Sequence, residues 1–465
     1  MSLSCFDPRF GERMLSVDEA LSVLGESLAG VMRTPRSERV ALAQAPGRVL
    51  AETVISPLDV PAQTNAAMDG IALARASLPD PASGEPLSDH CELSVIGSSL
   101  AGHPWTGRAL AAGEAMRITT GAALPAGADT VVMQEQLEYR STQGEGEAGE
   151  RVVIEGVTSI RRGQNVRQAG EDIAHGGQVM APGQWLTPAA VGVLASLGLA
   201  EVAVYRPLTV AIFSTGDEVT APGETLSAGG IYDANRFNLV ALLRDQGIEV
   251  LDLGILSDDE TSVSAALRDA ATRADMVITS GGVSVGEADH VRSALAASGE
   301  LALWRIAMRP GRPLAFGMLR GTLAADASSS GQVPFFGLPG NPVATMVTFL
   351  QFVLPALRLL SGQQRLAKAE ASASATTLAQ WQAPRLQLIA GETLRSRAER
   401  VDYHRGQIVL DDQGRQVVMT TGRQGSGILT SMLLAECLIE IPAGCATLHA
   451  GEPVMVQWLG SRGIV

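Results

Sequence analysis

The stretch that most constrains this fold runs from Ala274 to Asp289 and reads ADMVITSGGVSVGEAD. Its first half is a short apolar run rich in β-branched residues, which is typical of a strand buried inside a parallel sheet. Gly281 and Gly282 follow directly, so the backbone can turn sharply there and approach a ligand closely. Ser284 and the backbone N–H groups ahead of the next helix could bind an anion. The stretch therefore predicts a ligand-binding loop at the carboxyl end of a strand in an open α/β sheet.

The segments around this stretch alternate between strand and helix patterns. Predicted strands cover Leu208 to Ser214, Ile248 to Leu256, Ala274 to Ser280, Leu301 to Ala307 and Val333 to Gly337, and predicted helices cover Asn235 to Gln246, Asp259 to Arg273 and Pro342 to Leu360. This βαβ order favours a doubly wound α/β sheet. Arg206-Pro207 marks a boundary before it, because the residue ahead of a proline disfavours helix.

Regions of short strands flank the α/β segment. From Gly70 to Gln168, alternating strands are separated by Gly, Pro and Asn/Asp clusters, which indicates a small all-β insertion. After a polar Ala/Ser-rich stretch from Ser361 to Thr377, short strands return and predict a small β-barrel or sandwich. Near the N-terminus, Ser16 and Glu19 are spaced as a capping box at the start of an amphipathic helix. The predicted fold class is therefore multidomain, α/β plus β.

Carboxylates follow three of the predicted strands. Glu218 comes after the first strand, Asp258 after the second and Asp289 after the third. Carboxylates that converge at adjacent strand ends suit a hard cation such as Mg²⁺, which takes one or two protein carboxylates together with substrate phosphates. Asp258 also has a structural explanation, because Ser257 and Glu260 are spaced as a capping box and negative charge is favourable in a first helical turn. Both interpretations stay open for that residue.

Polar residues of the β insertion have structural alternatives as well. Asp69 opens a predicted strand together with Gly70, and a turn-to-strand junction explains an aspartate there without any function. Thr120 precedes a Pro-Ala-Gly turn, where its hydroxyl could contact a ligand or simply end a strand. The residues alone therefore favour a structural role for Asp69 and leave Thr120 open.

Three arginines lie close together in the segment ALWRIAMRPGRPLAF. Arg305, Arg309 and Arg312 fall within eight residues around a Pro310-Gly311 turn. Arginine presents paired donors that match phosphate oxygens, so the cluster predicts a phosphate-binding patch. A cluster of surface ion pairs is the alternative. The segment GLPGNP from Gly337 adds a second glycine turn before a helix N-terminus, where anions also bind.

Composition narrows the classes of function. A chain of 465 residues exceeds one compact core, and this length indicates about three domains. The net charge of −14 disfavours nucleic acid as a partner, since a nucleic-acid binder presents a basic face. The most apolar segment, Leu186 to Tyr205, is interrupted by Pro188, Gly198 and Glu201, which disfavours a membrane span. Four cysteines without CxxC spacing, and an N-terminus without an apolar run, predict a reducing cytoplasmic location.

With these segments in view, the chain resembles the MoeA family of molybdopterin molybdenumtransferases, which is related to the C-terminal domain of gephyrin. The motifs that carry the resemblance are AMDG from Ala67, RITTGAALPAGADTVVMQE from Arg117, AGEDI from Ala169, FSTGDE from Phe213, IYDAN from Ile231, SDD from Ser257, ITSGGVSVGEAD from Ile278, MRPGRPLAFG from Met308, GLPGNP from Gly337 and QGSG from Gln424. They stand in family order along nearly the whole chain. The resemblance implies an enzyme that takes adenylylated molybdopterin and molybdate, cleaves the pyrophosphate linkage with Mg²⁺, and releases molybdenum cofactor and AMP.

The same resemblance implies an architecture of four domains. These are a discontinuous N-terminal and linker domain at 16–54 and 170–206, a β-rich insertion at 55–169, a doubly wound α/β molybdopterin-binding domain at 207–361, and a C-terminal β-barrel at 362–465. It further implies a homodimer in which the insertion of one subunit reaches the α/β cleft of the other. A molybdopterin adenylyltransferase is implied as a further protein partner.

Roles for individual residues also follow from the resemblance. The implied catalytic acids are Asp69, Glu218, Asp258 and Asp289, of which the last three would also bind the metal. The implied substrate-binding residues are Thr120, Asp172, Gly281, Gly282, Ser284, Arg305, Arg309, Arg312 and Arg405. Arg305, Arg309 and Arg312 stand where the family commonly has lysine, and Ile71 replaces the tyrosine of AMDGYA. The positive charge is kept, but a planar guanidinium contacts phosphate differently from an ammonium group.

Two other classes of protein share part of this pattern. A molybdopterin adenylyltransferase has the α/β domain with its Gly-Gly-Val-Ser loop, but it leaves the β insertion and the C-terminal domain unexplained. A non-catalytic scaffold, as gephyrin also is, would bind a partner peptide and show no turnover.

Overall fold

The computed structural model describes residues 13–31, 35–79, 88–141, 150–257, 259–281, 293–294, 298–321, 331–364 and 378–460. The chain forms two compact units. The described residues of the larger unit come from Met1–Glu52, Pro182–Val191 and Glu201–Val465, and those of the smaller unit come from Thr53–Ala181 and Gly192–Ala200. In sequence, the smaller unit is therefore inserted into the larger one.

The first helix of the larger unit spans Val17–Ala29 and begins as the sequence predicts. Ser16 Oγ accepts a hydrogen bond from the Glu19 N–H at 3.1 Å, and the Glu19 carboxylate accepts one from the Ser16 N–H at 2.9 Å. These reciprocal bonds form the predicted capping box. The buried face of the helix consists of Val17, Ala20, Leu21, Leu24 and Leu28. Its apolar spacing therefore anchors the helix in the core of the larger unit.

A seven-stranded mixed sheet forms the centre of the larger unit. Its strands lie in the order Met14–Leu15, Gly299–Ile306, Pro313–Gly321, Gly331–Leu338, Met276–Ser280, Thr209–Thr215 and Glu249–Leu256. The last four are parallel, whereas Pro313–Gly321 runs antiparallel to both of its neighbours. Strand Pro313–Gly321 is not among the predicted strands, because the RPGRP segment before it indicates only a turn.

Helices cover both faces of this sheet, which confirms the doubly wound α/β prediction. Helix Ala234–Asp245 and the helical run Pro342–Leu360 pack on one face, and helix Glu260–Arg273 packs on the other. Side chains alternate along each strand, so Ile212 faces the first set of helices and Phe213 faces the second. The central strands are therefore buried on both sides, as their continuous apolar sequences predict.

The run Pro342–Leu360 is helical throughout but changes its winding. It consists of α-helix Pro342–Thr348, a π-helical turn Phe349–Val353 and α-helix Leu354–Leu360. Its length and composition would allow it to cross a membrane, yet 78% of its apolar window is buried inside the protein. Packing in the core accounts for its apolar composition.

The start of helix Glu260–Arg273 corrects one prediction. The N-cap residue is Asp259, whose carboxylate accepts a hydrogen bond from the Ser262 N–H at 2.8 Å. Glu260 is the first helical residue, so it is too early in the helix to complete a capping box with Ser257. The predicted capping box at Ser257 and Glu260 is therefore wrong.

The smaller unit is rich in β-structure, as predicted for the insertion. Its main sheet has six strands in the order Thr130–Met133, Gly70–Leu73, Glu114–Ile118, His90–Ser99, Glu150–Glu155 and Leu137–Ser141. The smaller unit also contains two short pairs of antiparallel strands, Asn65–Ala66 with Val166–Arg167 and Val54–Ile55 with Gln178–Met180. Helix Pro188–Ser196 is divided between the two units.

A closed five-stranded barrel forms the C-terminal part of the larger unit, which confirms the barrel alternative. Its strands follow the circuit Val401–Leu410, Gln416–Thr420, Arg385–Ala390, Pro453–Trp458 and Cys437–Ile441, which pairs again with the first strand. Strand Met308–Arg309 of the arginine segment pairs with Val401–Leu410 in parallel. A short helix, Thr430–Leu433, lies within the barrel sequence. The remaining two-stranded pairs are Ser37–Ala41 with Glu201–Tyr205, Val219–Thr220 with Ile231–Tyr232, and Leu394–Arg395 with Thr447–Leu448.

Candidate active site

Gly281 lies at the carboxyl end of a central strand, where the sequence predicts a ligand-binding turn. Its φ of +89° is a left-handed conformation that favours glycine. A Cβ at this position would lie 2.9 Å from the carbonyl oxygen of Thr215, so a side chain does not fit. The Gly281 N–H donates to the Leu338 carbonyl oxygen at 3.2 Å. The glycine therefore lets three neighbouring strand ends approach one another closely.

Four predicted site residues lie outside the described residues, namely Gly282, Ser284, Asp258 and Asp289. Of the three predicted metal ligands, the structure describes only Glu218, which is exposed in the loop after strand Thr209–Thr215. Its carboxylate folds back over Gly216, where a Cβ would lie 2.6 Å from Glu218 Oε2. Within the described ranges, no group of three His, Cys, Asp or Glu residues could hold a metal ion. Of the predicted metal site, the structure thus describes one carboxylate, that of Glu218. Its oxygens are the type of ligand that Mg²⁺ prefers.

An ionic cluster around the buried pair Asp233 and Arg236 anchors the helix that begins beside these strand ends. Asp233 caps helix Ala234–Asp245 by accepting a hydrogen bond from the Arg236 N–H at 3.1 Å. The same carboxylate accepts from Ser214 Oγ at 3.0 Å and from Arg236 Nε at 2.8 Å. Arg236 Nη1 also donates to Asp252 Oδ2 at 2.5 Å. The helix N-terminus is therefore held to the end of a central strand and to its neighbour.

Asn235, the second residue of that helix, contacts two further strand-end segments. Its side-chain Nδ2 donates to Ser280 Oγ at 2.8 Å and to the Gly340 carbonyl oxygen at 2.7 Å. Neither Asn235 nor the Asp233–Arg236 pair is among the predicted site residues. An aspartate directly before a helix is a recognisable N-cap, which could have indicated Asp233. Asn235 ends the IYDAN motif, but nothing in that segment indicates which residues its side chain contacts.

The arginine segment forms a tight turn between two antiparallel strands. The Ile306 N–H donates to the Arg312 carbonyl oxygen at 2.7 Å and closes the turn. Between them, the Arg309–Pro310 peptide is cis and Gly311 has φ +103°. A Cβ on Gly311 would lie 2.3 Å from Thr348 Oγ1, so only glycine allows this close approach.

All three arginines of this turn are exposed to solvent. Arg305 is directly opposite Pro313 in the sheet, so the side chains of Arg305 and Arg312 start from neighbouring positions. In the part of the chain that the structure describes, no carboxylate forms an ion pair with Arg305, Arg309 or Arg312. Among the described residues, these three arginines therefore do not form the surface ion-pair cluster that was the alternative interpretation.

Arg405 is a buried cation on a barrel strand, with only 1% of its surface exposed. Its guanidinium donates to Ser431 Oγ at 3.0 Å, to the Tyr403 carbonyl oxygen at 3.2 Å and to the Gly425 carbonyl oxygen at 3.3 Å. Among the described residues no carboxylate pairs with it. Burial, followed by the nearby Arg309 cation, lowers the pKa of Arg405 to about 10. It stays charged at neutral pH, and its surroundings favour an added anion.

The loop QGSG connects Arg405 with the second glycine turn. Gln424 Oε1 accepts a hydrogen bond from the Arg405 N–H at 2.8 Å. Two residues later, the Ser426 carbonyl oxygen accepts one from the Val343 N–H at 3.0 Å, at the start of the run Pro342–Leu360. The structure therefore brings Arg405 close to Arg309 and links its neighbouring loop to the residue that follows the GLPGNP turn, although these segments spread over about a hundred residues of sequence.

Asp69 and Thr120, two of the predicted site residues, contact each other in the smaller unit. Asp69 Oδ1 accepts hydrogen bonds from the Thr120 N–H at 2.7 Å and from Thr120 Oγ1 at 2.9 Å. The backbone bond first, and the hydroxyl bond second, lower the pKa of Asp69 below its ordinary value. Both residues are exposed. Gly70 must be glycine, because a Cβ there would lie 1.8 Å from the Val132 carbonyl oxygen.

Asp172 is not joined to this pair. Its N–H donates to the Val60 carbonyl oxygen at 3.0 Å, and its exposed side chain forms no hydrogen bond or ion pair with Asp69 or Thr120. The three predicted residues of the smaller unit therefore form one connected pair and one separate acid.

Comparisons with known proteins agree with this arrangement along the chain. Residues 15–198 match the MoeA N-terminal region (domain I and II), residues 211–359 match a probable molybdopterin binding domain, and residues 387–459 match the MoeA C-terminal region (domain IV). A molybdopterin molybdenumtransferase from Haemophilus influenzae is 38% identical over 449 residues, covering 96% of this chain and 98% of the relative. Another from Nostoc sp. is 33% identical over 447 residues, covering 96% and 94%.

A solved structure extends this similarity to the fold. The molybdopterin biosynthesis MoeA protein from Pyrococcus horikoshii OT3 superposes with a TM-score of 0.72 at 26% identity, covering 96% of this chain and 100% of that one. Similarity in sequence and in fold thus spans nearly the whole chain. The chain belongs to the MoeA family of molybdopterin molybdenumtransferases.

Proposed function

We propose that this protein transfers molybdenum from molybdate to adenylylated molybdopterin and releases AMP. Relatives named molybdopterin molybdenumtransferase support the molybdenum transfer, and the match to a probable molybdopterin binding domain supports the pterin substrate. The single observation that carries the proposal is Arg405, a buried cation held by neutral acceptors and close to a second cation, Arg309.

The charge and hydrogen-bonding donors of Arg405 would suit molybdate. It is a tetrahedral dianion whose oxygens all accept hydrogen bonds. Three of the Arg405 guanidinium donors are used within the protein, so the others remain for an oxyanion. Charge-assisted hydrogen bonds to an anion are stronger than neutral ones, and a low-dielectric environment strengthens them further. An oxyanion would also relieve the repulsion between Arg405 and Arg309.

The phosphates of the adenylylated pterin would bind at the arginine turn. The protein has a net charge of −14, so an anionic substrate needs a local basic patch. Arg305, Arg309 and Arg312 supply one, because they are exposed and unpaired among the described residues. Gly281 would let a phosphate approach the backbone at the neighbouring strand end.

Glu218, Asp258 and Asp289 would bind Mg²⁺ together with substrate phosphates, as the resemblance implies. Glu218 is an exposed carboxylate at a strand end, which suits a site that is completed by the substrate. When bound, Mg²⁺ would neutralise charge on the phosphate oxygens of the linkage that is cleaved. The acids themselves would hold the metal and keep the substrate in one orientation.

The smaller unit would contribute Asp69, Thr120 and Asp172 to the cleft of the partner subunit in a homodimer. Asp69 and Thr120 are exposed and Asp69 is ionised at neutral pH, so its carboxylate can accept hydrogen bonds from a ligand. A molybdopterin adenylyltransferase is the partner that would supply the adenylylated substrate. A cytoplasmic location suits the three free cysteines of the described residues, Cys91, Cys437 and Cys445.

Product analysis tests this proposal directly. The purified protein is incubated with adenylylated molybdopterin, Mg²⁺ and molybdate, and the products are identified by mass spectrometry. We expect AMP and molybdenum cofactor, both dependent on molybdate and Mg²⁺. Consumption of ATP with molybdopterin instead would identify an adenylyltransferase. Absence of turnover, with binding of a partner peptide to the barrel, would identify a scaffold.

A further inference from the structure

We infer that Asn235 is a positioning residue, which holds the strand end at Ser280 and the backbone at Gly340 in register through a single side-chain amide. The amide nitrogen donates to Ser280 Oγ at 2.8 Å and to the Gly340 carbonyl oxygen at 2.7 Å. These two acceptors belong to segments far apart in the sequence. Asn235 itself belongs to a third segment, the helix Ala234–Asp245.

Both acceptors stand next to backbone that the proposed site uses. Ser280 directly precedes Gly281, whose left-handed conformation turns the chain away from its strand. Gly340 precedes Asn341, which is the N-cap of the run Pro342–Leu360. One amide therefore sets the separation between a strand-end glycine turn and a helix N-terminus, the two kinds of backbone that bind phosphate groups.

The helix that carries Asn235 is itself fixed. Asp233 caps the helix and bonds to Ser214, and Arg236 bonds to Asp233 and to Asp252. Asp233 is 3% exposed and Arg236 is 8% exposed, so water competes little for the bond between these two residues, whereas Asp252 is exposed. Asn235 lies between the members of this ionic cluster in sequence, and its backbone has little freedom to move. Its amide can therefore act as a rigid connection.

The direction of the hydrogen bond to Ser280 has a second consequence. Because Asn235 is the donor, the hydroxyl hydrogen of Ser280 points away from the amide and is not used in this contact. No acceptor for that hydrogen occurs among the described residues. Asn235 thus keeps Ser280 as a donor beside Gly281, where an anionic ligand would accept from it. This inference rests on the proposed function for the identity of that ligand.

The test compares three variants in the full-length protein. Asn235→Ala removes both hydrogen bonds. Asn235→Asp keeps the shape but replaces the donor by an acceptor, which repels the Gly340 carbonyl oxygen and turns the Ser280 hydroxyl toward itself. Asn238→Ala is the matched control, because Asn238 lies on the same helix and its Nδ2 is buried without a hydrogen-bond partner among the described residues.

The first measurement is the steady-state rate of AMP release. We expect kcat to fall about tenfold or more in Asn235→Ala and in Asn235→Asp, with KM changing less than kcat, because misplacing groups of the site slows the chemistry. Asn238→Ala should keep the wild-type kcat. Equal losses in Asn238→Ala and Asn235→Ala, or a wild-type kcat in Asn235→Asp, would overturn the inference. If Asn235→Ala does not fold, the isosteric Asn235→Asp decides the question.

The second measurement does not depend on turnover. Hydrogen exchange is followed in peptides that cover residues 276–281 and 338–341, which include the Gly281 N–H bonded to Leu338. We expect exchange to be about tenfold faster in both Asn235 variants and unchanged in Asn238→Ala. Unchanged exchange in the Asn235 variants would contradict the inference. If the wild-type protein releases no AMP, the proposed function fails, but this exchange result still decides the role of Asn235.

Discussion

The surroundings of Arg405 in the larger unit disfavour its charged form, whereas those of Asp69 in the smaller unit favour its charged form. The pKa of each residue is lowered, but the meaning differs between an acid and a base. Burial, and then Arg309, lower the pKa of Arg405, so its surroundings disfavour the charged form. Two hydrogen bonds from Thr120 lower the pKa of Asp69, so its surroundings favour the charged form. The described residues therefore leave the burial of the Arg405 charge without a carboxylate partner, whereas the Asp69 charge is already stabilised by hydrogen bonds.

This difference suggests how each unit takes part in the proposed reaction. Binding of an oxyanion at Arg405 gains the energy of neutralising a buried cation, so affinity should depend strongly on that residue. Asp69 is exposed and hydrogen-bonded, so its loss should change the chemistry of the cleft more than the stability of the fold. The buried residue would determine binding, and the exposed residue would complete a site formed with the partner subunit.

The largest expected effect concerns that shared cleft. If each cleft takes Glu218 from one subunit and Asp69 from the other, Asp69→Asn and Glu218→Gln homodimers should each lose at least about a hundredfold in AMP release. A heterodimer of the two variants should regain about half of the wild-type rate, because one of its two clefts then holds both intact acids. The variants are co-expressed with different tags, and the heterodimer is isolated through both tags.

The control for this experiment is the pair of homodimers prepared in the same way. A verified heterodimer without recovered activity would show that Asp69 and Glu218 act in the same subunit, and the proposed dimer would be rejected. Wild-type rates in either homodimer would remove that acid from the proposed catalytic group.

The next effect tests Arg405 itself. Arg405→Met keeps the length and apolar packing of the side chain but removes the cation, and we expect molybdate to bind about a hundredfold more weakly. Arg405→Lys keeps the charge but loses the planar fork, so an intermediate loss is expected. Isothermal titration calorimetry with molybdate measures both. Arg395→Met is the matched control, because Arg395 is exposed on another strand of the barrel region.

Thermal unfolding provides an independent measure of the same contact. Molybdate should raise the unfolding temperature of the wild-type protein and of Arg395→Met, because a ligand that binds only the folded state stabilises it. It should have little effect on Arg405→Met. An equal molybdate-induced shift in Arg405→Met would place the oxyanion elsewhere.

A smaller effect is expected at the exposed cation beside Arg405. Arg309→Gln should weaken binding of the adenylylated substrate about fivefold at low salt, and much less at about 1 M salt, where the screening length is only about 3 Å. The affinity is measured across a salt series for the variant and the wild type. A loss that does not change with salt would mean that Arg309 acts through a desolvated contact rather than as an exposed charge.

Local patterns predict some of these features well. The capping box of Ser16 and Glu19 and the strand ending at Ser280 were predicted because each depends on residues close together in sequence. Strand Pro313–Gly321 was missed because it follows directly after the Pro310-Gly311 turn, where the local sequence indicates only a turn. Its strand conformation depends on pairing with Gly299–Ile306 on one side and Gly331–Leu338 on the other, which only the assembled sheet shows. The cap at Asp259 differs from the prediction because several acids compete for one helix start.

The site illustrates the same limit at longer range. Arg405 was implied by family resemblance alone, since nothing in its own segment indicates that it is buried near Arg309. Asn235 was missed because its two partners lie 45 and 105 residues away in the sequence. A side-chain amide in a first helical turn has many ordinary roles. Only the assembled sheet shows that this amide connects two loops.

The smallest expected effect concerns the ionisation of Asp69. Thr120→Val removes the hydroxyl donor but keeps the backbone N–H, which is the larger cause of the lowered pKa. We therefore expect the pKa of Asp69 to rise toward its ordinary value of 3.8 without reaching it. Thr120→Ser is the matched control, because it keeps both donors. The measurement is a carbon-13 NMR titration of labelled aspartate carboxyl groups, with the Asp69 signal assigned from Asp69→Asn.

The sign of the accompanying stability change follows from the same shift. A carboxyl group with a lowered folded-state pKa stabilises the fold above its unfolded-state pKa, and this contribution is lost as the pH falls through the folded-state value. The wild-type protein and Thr120→Ser should therefore lose stability over a wider range below pH 3.8 than Thr120→Val does. An Asp69 pKa that is the same in Thr120→Val and Thr120→Ser would show that the hydroxyl bond contributes nothing. The backbone N–H alone would then keep Asp69 ionised, and the contrast with Arg405 would rest on burial only.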